Sequence, residues 1–175
     1  MNKYDLVIIG SGASGLSAGV SALKSGVKNV LILEKEDLLG GNLNLFIDNG
    51  FGEYYLNNVV TGPELGSILI KDYKELGGEY KINTRVLEIN RDKVITYVNP
   101  LEGIQEISAK SIVLAAGCRE KYTGNIMIPI NKFTGVFTTG SAHRLVNYSG
   151  YLPGKEIIII GDNIWTLILA RRLVI

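Results

Sequence analysis

The chain has 175 residues, enough for about one ordinary domain. Its 18 basic and 17 acidic residues leave a net charge of +1, so no overall electrostatic field attracts nucleic acid or an anionic membrane. A single cysteine, Cys118, excludes an internal disulfide and a Cys-x-x-Cys redox pair, and with one histidine, His143, no metal site is expected. No apolar run is long enough to span a bilayer, and the sparse use of cysteine fits a cytoplasmic protein.

The first third of the chain predicts a strand, a helix and a second strand. Asp5–Ile9 and Val30–Leu33 are short β-branched runs, typical of buried parallel strands. Between them, Leu16 and Val20 share one face of a helix, and Gly26 ends that helix in the left-handed conformation. Together they predict a βαβ unit with a right-handed crossover.

The middle of the chain predicts a loop, a helix and then short strands. Gly40–Gly52 has the punctuation of a loop, and Thr61–Glu64 has the pattern of a capped helix start with proline in the first turn. Gly77 ends this helix. The segment Glu79–Lys110 predicts a small antiparallel meander, and Ser111–Leu114 predicts a further buried strand. Beyond these we expect an irregular connection over 122–133, a short helix over 138–148 and a second strand, turn and helix from residue 156.

A glycine-rich loop follows the first strand. Residues 10–15 fit the pattern G-x-G-x-x-G, and Glu34 stands at the end of the next strand. Gly10 allows the turn off the strand, Gly12 lets a pyrophosphate lie against the backbone, and Gly15 lets the helix pack on the sheet. The helix N-terminus attracts phosphates, and Glu34 is expected to accept the two ribose hydroxyls and to repel a 2′-phosphate, which argues against NADP.

The loop therefore predicts a dinucleotide. FAD and NAD share the ADP half, so the fingerprint by itself fits both equally. The alternative interpretation is a set of ordinary turn glycines beside a solvated glutamate.

Further segments resemble a known group of flavoproteins. The segments that carry the resemblance are residues 34–35, 39–42, 49–52, 61–64, 111–120, 135–142, 144–147 and 150–155. They resemble the pyridine nucleotide-disulfide oxidoreductase superfamily of two-dinucleotide-domain flavoproteins related to thioredoxin reductase. The later segments are similar to a subgroup of FAD/NAD(P)-dependent oxidoreductases that accompany glycerol-3-phosphate, opine or amine dehydrogenase subunits.

The resemblance implies an α/β fold with a Rossmann-like FAD-binding domain over residues 1–150. This domain combines a parallel sheet with helices and a small antiparallel β-meander. Residues 151–175 are then a linker and the first β-α of a second, incomplete Rossmann domain. The implied cofactor-binding residues are Gly10, Ser11, Gly12, Ala13, Ser14, Gly15, Glu34, Lys35, Gly41, Asn42, Val86, Ala115, Ala116 and Gly117. In this alignment residues 41–42 approach the flavin, the Val86 backbone meets the adenine edge, and residues 115–117 close over the cofactor.

Three departures from the family pattern qualify what it implies. The redox cysteine pair is absent, so we expect no disulfide reduction by this chain. After the strand predicted from residue 156, only Gly161 matches the NAD(P) fingerprint. The Asn163 side chain would occupy the position of the pyrophosphate, and Thr166 would push the helix away from the strand. We therefore expect no NAD(P) binding there. The sequence also stops at Ile175, inside the second domain's first helix, which indicates a truncated or split form whose C-terminal strand and helix are covered by a homo-oligomer or a partner polypeptide.

The sequence thus predicts an FAD-dependent oxidoreductase with no nucleic-acid or membrane partner. Hydride would come from NAD(P)H in intact relatives. No side chain stands out as an acid, base or nucleophile, so no catalytic residue is assigned. Two alternatives stay open: a non-catalytic FAD- or ADP-binding module or subunit remnant that acts through a partner chain, and an NAD-only dehydrogenase.

Overall fold

The computed structural model describes residues 2–118, 120 and 133–174. The chain divides into two compact units, Met1–Gly117 and Cys118–Ile175, so this division falls ahead of the boundary predicted at residue 150. The strands are β1 (Asn2–Ile9), β2 (Val30–Leu33), β3 (Asn49–Phe51), β4 (Val60–Thr61), β5 (Glu79–Lys81), β6 (Arg85–Ile89), β7 (Val94–Asn99) and β8 (Gly103–Leu114). The helices are α1 (Ala13–Lys24), α2 (Glu53–Leu56), α3 (Gly62–Glu75), α4 (Thr139–Ser149) and α5 (Ile164–Leu173), with a 3₁₀ helix at Gly41–Leu45.

The first unit contains a six-stranded sheet in the order β5-β2-β1-β8-β7-β6. Strands β5, β2, β1 and β8 run parallel, whereas β6, β7 and β8 form an antiparallel meander. Helix α1 connects β1 to β2 and α3 leads into β5, as parallel neighbours require. The predicted α/β, Rossmann-like class with a small meander is confirmed.

The two faces of the sheet bury two separate groups of apolar side chains. Ile8 and Ile32 lie on one face with the helix residues Leu16 and Leu69, all 1% exposed or less. The neighbouring residues Val7, Leu31 and Leu33 point to the opposite face, where they pack against the meander. Each fully buried side chain of this kind contributes about 1.5–3 kcal/mol relative to exposure. Residues on both sides of the parallel strands are therefore apolar, as the uninterrupted runs predicted.

Strand β5, which follows helix α3, pairs differently from the prediction. Glu79–Lys81 was predicted as the first part of the meander, but β5 pairs parallel with β2, with Leu31 opposite Glu79. The buried Tyr73 hydroxyl donates to the Val30 carbonyl (3.0 Å) and the Glu79 carbonyl (2.7 Å) and so joins α3 to both strands. The assignment of this strand to the meander is wrong because the crossover through α3 returns the chain to the parallel edge of the sheet.

Two other elements differ from the predicted boundaries. Gly40–Gly52 was predicted as a loop, but it contains the 3₁₀ helix and β3, which pairs antiparallel with β4. Ser111–Leu114 was predicted as a separate buried strand, but it is the second half of β8, where Ser111 and Leu114 are exposed. One long strand can serve both partners because its first half pairs with β7 and its second half with β1.

The turn between β7 and β8 is fixed to β5 by a carboxylate. Glu102 accepts hydrogen bonds from Lys81 Nζ (2.6 Å to Oε1) and Asn99 Nδ2 (2.7 Å to Oε2). These donors, Lys81 first, lower the pKa of Glu102 below its ordinary value of 4.5. Because Lys81 lies at the far edge of the parallel strands, this contact holds the meander across that face of the sheet.

The second unit contains α4 and α5 among its described residues. Thr138 caps α4, and His143 is buried with its Nε2 3.2 Å from the carbonyl oxygen of Trp165. The predicted irregular connection over 122–133 lies, apart from Phe133, outside the described residues. The predicted strand at 156–160 is wrong for the described residues, in which this segment has no strand partner. A strand forms only against a neighbouring strand, and Ile158 instead remains 91% exposed.

Candidate dinucleotide-binding site

The carboxyl ends of three parallel strands meet at one edge of the sheet. In the register of the sheet Ile9 lies between Leu33 and Leu114. The residues that follow, Gly10, Glu34 and Ala115, therefore leave the sheet side by side. Ligands of open parallel sheets bind at this edge, in the crevice outside the strand ends. The topology thus brings three separately predicted segments of the site together.

Gly10 and Gly15 are glycines because the backbone is too close for a side chain. Gly10 has φ +101°, and a Cβ there would overlap the Ala115 carbonyl oxygen. A Cβ at Gly15 would overlap the Gly10 carbonyl oxygen and lie 3.3 Å from the Ala115 Cβ. These contacts accompany the turn predicted at Gly10 and the close packing of α1 on the sheet predicted at Gly15.

Gly12, unlike Gly10 and Gly15, has open space where a side chain would be. It is the N-cap of α1, and a Cβ added there would meet no protein atom within 4 Å. No side chain caps this helix, and Ala13 and Ser14 in its first turn are exposed. The backbone N–H groups at the start of a helix lack intrahelical acceptors and carry the positive end of the helix dipole. The space beside Gly12 therefore faces donors suited to an anion.

The Glu34 carboxylate is buried beside the glycine loop, at 4% exposure. Its Oε2 accepts from the Ser11 backbone N–H (2.8 Å) and the Ser11 hydroxyl (2.5 Å). Its Oε1 accepts from the Glu36 backbone N–H (3.0 Å). The acid is thus held in one position within the glycine loop, and that it binds a ribose stays a prediction.

The segment that follows β2 also contacts the glycine loop. The Gly40 N–H donates to the Ser11 carbonyl (3.0 Å) and to the Ser11 hydroxyl (3.2 Å). A Cβ at Gly41, where φ is +53°, would lie 3.0 Å from the Gly12 Cα. Gly41 therefore borders the open space at Gly12, while Asn42 is exposed at the start of the 3₁₀ helix.

The predicted residues Lys35 and Val86 have no described contact with the glycine loop. Lys35 is half-exposed, pairs with Glu36 (3.5 Å), and lines with Arg85 a shallow cleft of about 380 Å³. Val86 is half-buried on the edge strand β6, and no described contact joins it to the glycine loop. The residue before that strand contacts the residue after β2, since the Thr84 N–H donates to the Glu34 carbonyl (2.7 Å).

The last predicted segment, residues 115–117, directly follows β8. The Ala115 N–H donates to the Ile9 carbonyl (2.8 Å), which extends the parallel pairing one residue into the site. Ala116 and Gly117 are exposed, and Gly117 has φ +73°.

Sequence reasoning missed the connection through Ser11 and Gly40. The motif identifies Ser11 only as a variable position, but it is fully buried and contacts both Glu34 and Gly40. The signal that could have found it was the pair Gly40-Gly41, whose positive φ angles of +111° and +53° let the chain approach the loop.

The second predicted turn, at the start of α5, is built differently. Asn163 is the N-cap, and its Oδ1 accepts from the Thr166 N–H (3.0 Å) and hydroxyl (2.8 Å). A Cβ at Gly161 would lie 3.0 Å from the Thr166 hydroxyl oxygen. The N-terminus of α5 is therefore occupied by its own side chain, whereas that of α1 is not.

Neither a metal-binding cluster nor a membrane-spanning helix occurs among the described residues. No group of three or more histidine, cysteine, aspartate or glutamate residues is arranged to hold a metal ion. No described helix is both long and apolar enough to cross a membrane.

Comparison with known proteins gives consistent similarities. Among curated relatives, the chain is 26% identical over 160 residues to thioredoxin reductase of Bacillus subtilis (strain 168), covering 90% of this chain and 46% of the relative. It is 25% identical over 180 aligned positions to an opine oxidase subunit of Agrobacterium tumefaciens (strain Ach5), covering 98% of this chain and 34% of that protein. Among solved structures, L-proline dehydrogenase from P. horikoshii has a TM-score of 0.81 at 23% identity, a likeness of fold that covers 98% of this chain and 34% of that one.

The chain spans less than half the length of each of these three proteins. The family model described as pyridine nucleotide-disulphide oxidoreductase matches residues 4–165, which include the glycine loop, Glu34 and the segment after β8. With nearly all of its length matched, the chain belongs to the pyridine nucleotide-disulphide oxidoreductase family.

Proposed function

We propose that this chain binds FAD at the edge formed by β1, β2 and β8 and serves in a flavin-dependent oxidoreductase. The observation that carries the proposal is the open space at Gly12, which lies between an uncapped helix N-terminus and a buried acid. Relatives named as a thioredoxin reductase and an opine oxidase subunit support the redox class. When bound, FAD supplies hydride and single-electron transfer.

The residues at this edge fit the ADP half of the cofactor. The pyrophosphate would lie over Gly12 and accept from the first N–H groups of α1. Glu34 would accept a hydrogen bond from the adenosine ribose, and a bond to a charged acceptor contributes about 1.5–3 kcal/mol. A 2′-phosphate would meet this carboxylate and be repelled. Gly41 and Asn42 would border the part of the cofactor that leads towards the flavin.

The chain's own contribution is to bind and orient the cofactor. The Ala115 carbonyl oxygen lies so close to Gly10 that no space remains between them, so this side of the proposed pyrophosphate position would be closed to water. No described side chain is placed as an acid or base, and we assign none.

We propose further that Gly161 opens no second nucleotide site. The Thr166 N–H, which an incoming phosphate would need, already donates to Asn163. Asp162 adds a negative charge beside that position. Electrons would then reach the flavin from another polypeptide rather than from a nicotinamide held at α5.

A partner polypeptide also accounts for the exposed apolar side chains before α5. Ile158 and Ile160 are 91% and 82% exposed, an unfavourable arrangement for a soluble monomer. We propose that another chain, whether a second copy or a different polypeptide, supplies the strands that pair with this segment. Light scattering of the purified chain tests for the second copy.

A second candidate function is a non-catalytic FAD- or ADP-binding module, which the Asn163 cap favours. Absorption spectroscopy of the purified chain, reconstituted with FAD and desalted, separates the two. Retained flavin that bleaches with NADH supports an oxidoreductase on its own and contradicts the proposal that Gly161 opens no nucleotide site. Retained flavin reduced by dithionite and not by NADH fits the module and also an oxidoreductase that takes its electrons from another polypeptide. Protein that retains no flavin, yet binds NADH, contradicts FAD binding in both candidates and supports an NAD-only enzyme or an ADP-binding module.

A further inference from the structure

One carboxylate oxygen in the segment after Gly41 is buried without a donor. Asp48 is half-buried, and its Oδ2 is closed to solvent with no hydrogen-bond partner among the described residues. The sequence from 36 to 70 contains no lysine, arginine or histidine that could neutralise this acid. A buried carboxylate oxygen without a donor is unfavourable, because it has lost its hydrogen bonds to water and gained none in return. A ligand that brings a donor to Asp48 would remove this penalty.

Asp48 lies at the edge of the sheet that carries the candidate site. Two residues before it, the Phe46 carbonyl accepts from the Gly62 N–H (2.8 Å), and the residue after it, Asn49, is paired with Thr61. Thr61 and Gly62 are the N-cap and the first residue of α3. A helix between parallel strands runs opposite to them, so α3, like α1, begins at the carboxyl ends of the strands. Asp48 is therefore at the same edge as the glycine loop.

The chain from Gly41 to Asp48 leads away from the space beside Gly12. Gly41 borders that space, and the 3₁₀ helix that starts there packs through Leu43 against α3. In the proposed binding mode the ADP half of FAD lies between Gly12 and Glu34, so the riboflavin half would leave the pyrophosphate on the side of this 3₁₀ helix. Asp48 follows the end of the helix by three residues.

We infer that Asp48 accepts a hydrogen bond from the riboflavin half of FAD, either from a ribityl hydroxyl or from the N3–H of the ring. This inference rests on the proposed function. Both donors suit a carboxylate oxygen, and Asp48 is the only acid between residues 41 and 52. The ADP half would be held without Asp48, so this residue favours FAD over ADP.

The first test compares FAD with ADP by titration calorimetry of the full chain. Asp48→Ala is expected to bind FAD about tenfold more weakly, because it loses a bond to a charged acceptor, and to bind ADP within about twofold of wild type. Asp48→Asn keeps the shape and an oxygen acceptor without the charge, so its FAD affinity should fall between the two. Equal weakening of FAD and ADP would overturn the inference, because Asp48 would then only support the fold of the site. Wild-type affinity for FAD in both variants would overturn it too, since Oδ2 would then be satisfied by water.

The second test measures thermal unfolding with and without FAD. Because Oδ2 has no donor among the described residues, Asp48→Asn should not lower the melting temperature when FAD is absent. Added FAD should raise the melting temperature of the wild type more than that of Asp48→Asn, since a ligand stabilises a protein according to its affinity. An Asp48→Asn variant that melts well below the wild type without FAD would overturn the inference, because a bond inside the protein would then already satisfy the carboxylate.

Two comparisons complete the experiment. 3-Methyl-FAD lacks the N3–H: loss of the Asp48→Ala effect with this analogue assigns the donor to N3, and its persistence assigns the donor to a ribityl hydroxyl, so both results support the inference. Asp92→Ala, in the exposed turn between β6 and β7, removes the same charge and is the matched control, which should bind FAD and ADP as the wild type does. An equal loss of FAD affinity in this control would assign the effect to overall charge and refute the role of Asp48. A wild-type chain that binds neither FAD nor ADP would overturn the proposed function and this inference with it, whereas FAD binding that does not depend on Asp48 overturns the inference alone.

Discussion

Replacement of Gly12 by alanine tests whether a diphosphate lies against the glycine loop. The added methyl would meet no protein atom within 4 Å, and the backbone there (φ −69°, ψ −174°) suits any residue. Alanine is a poorer N-cap than glycine by about 0.5–1 kcal/mol, but it also reduces the entropy of the unfolded chain by a similar amount, about 0.4–1 kcal/mol. The melting temperature should therefore stay within about 2 °C of wild type.

Binding should respond quite differently from stability. A methyl group in the space proposed for the pyrophosphate acts as overpacking, which costs about 1–3 kcal/mol, or roughly 5- to 150-fold in FAD affinity. Gly15→Ala is the matched control, because its methyl would overlap the Gly10 carbonyl oxygen, which cannot rotate away. Because the overlap is with rigid backbone, we take the upper part of the overpacking range, about 2–3 kcal/mol. After a gain of about 1 kcal/mol in helix propensity, we expect Gly15→Ala to lose about 1–2 kcal/mol of stability, or about 2–8 °C.

The assay is flavin content after desalting, together with thermal unfolding followed by circular dichroism. Undiminished flavin in Gly12→Ala would refute the placement of the cofactor against this backbone. A loss of stability in Gly12→Ala as large as that in Gly15→Ala would show that the space is not open, and the structural argument would fail there.

Three other substitutions test the fold around the site. Tyr73→Phe removes the buried donor to two strand carbonyls, and urea unfolding should show a loss of about 1–3 kcal/mol; an unchanged midpoint would mean that the crossover does not depend on these bonds. Thr61→Ala removes the capping box of α3 and should cost about 1 kcal/mol in the same assay, an expectation that wild-type stability would contradict. Glu102→Gln weakens the contact with Lys81; because the folded pKa of Glu102 lies below 4.5, its contribution is present above about that pH and is lost as pH falls through the folded pKa. The half-exposed pair is screened, so the loss at pH 7 should be below about 1 kcal/mol and should shrink as the pH falls below 4.5; a loss that stays constant as the pH falls would contradict the pKa direction.

Local patterns predicted much of the first unit. The strand at Val30–Leu33 has the predicted bounds, Gly26 has the positive φ of a helix end, and Thr61 forms its capping box. Each of these depends on residues within a few positions of one another, so the signal is contained in a short window. The placement of β5 and the continuity of β8 depend on strands distant in sequence, and no local pattern carries that information.

The same division holds for the site. The motifs alone predicted the segments of the candidate site, namely the glycine loop, the acid after β2 and the small residues after β8, because each motif reflects a requirement at its own position. Only the tertiary structure decided that Ser11 ties Glu34 to Gly40, that Gly15 packs on Gly10, and that the isoleucines before α5 find no strand partner among the described residues. These depend on the register of parallel strands, which brings residues more than 20 positions apart to hydrogen-bonding distance.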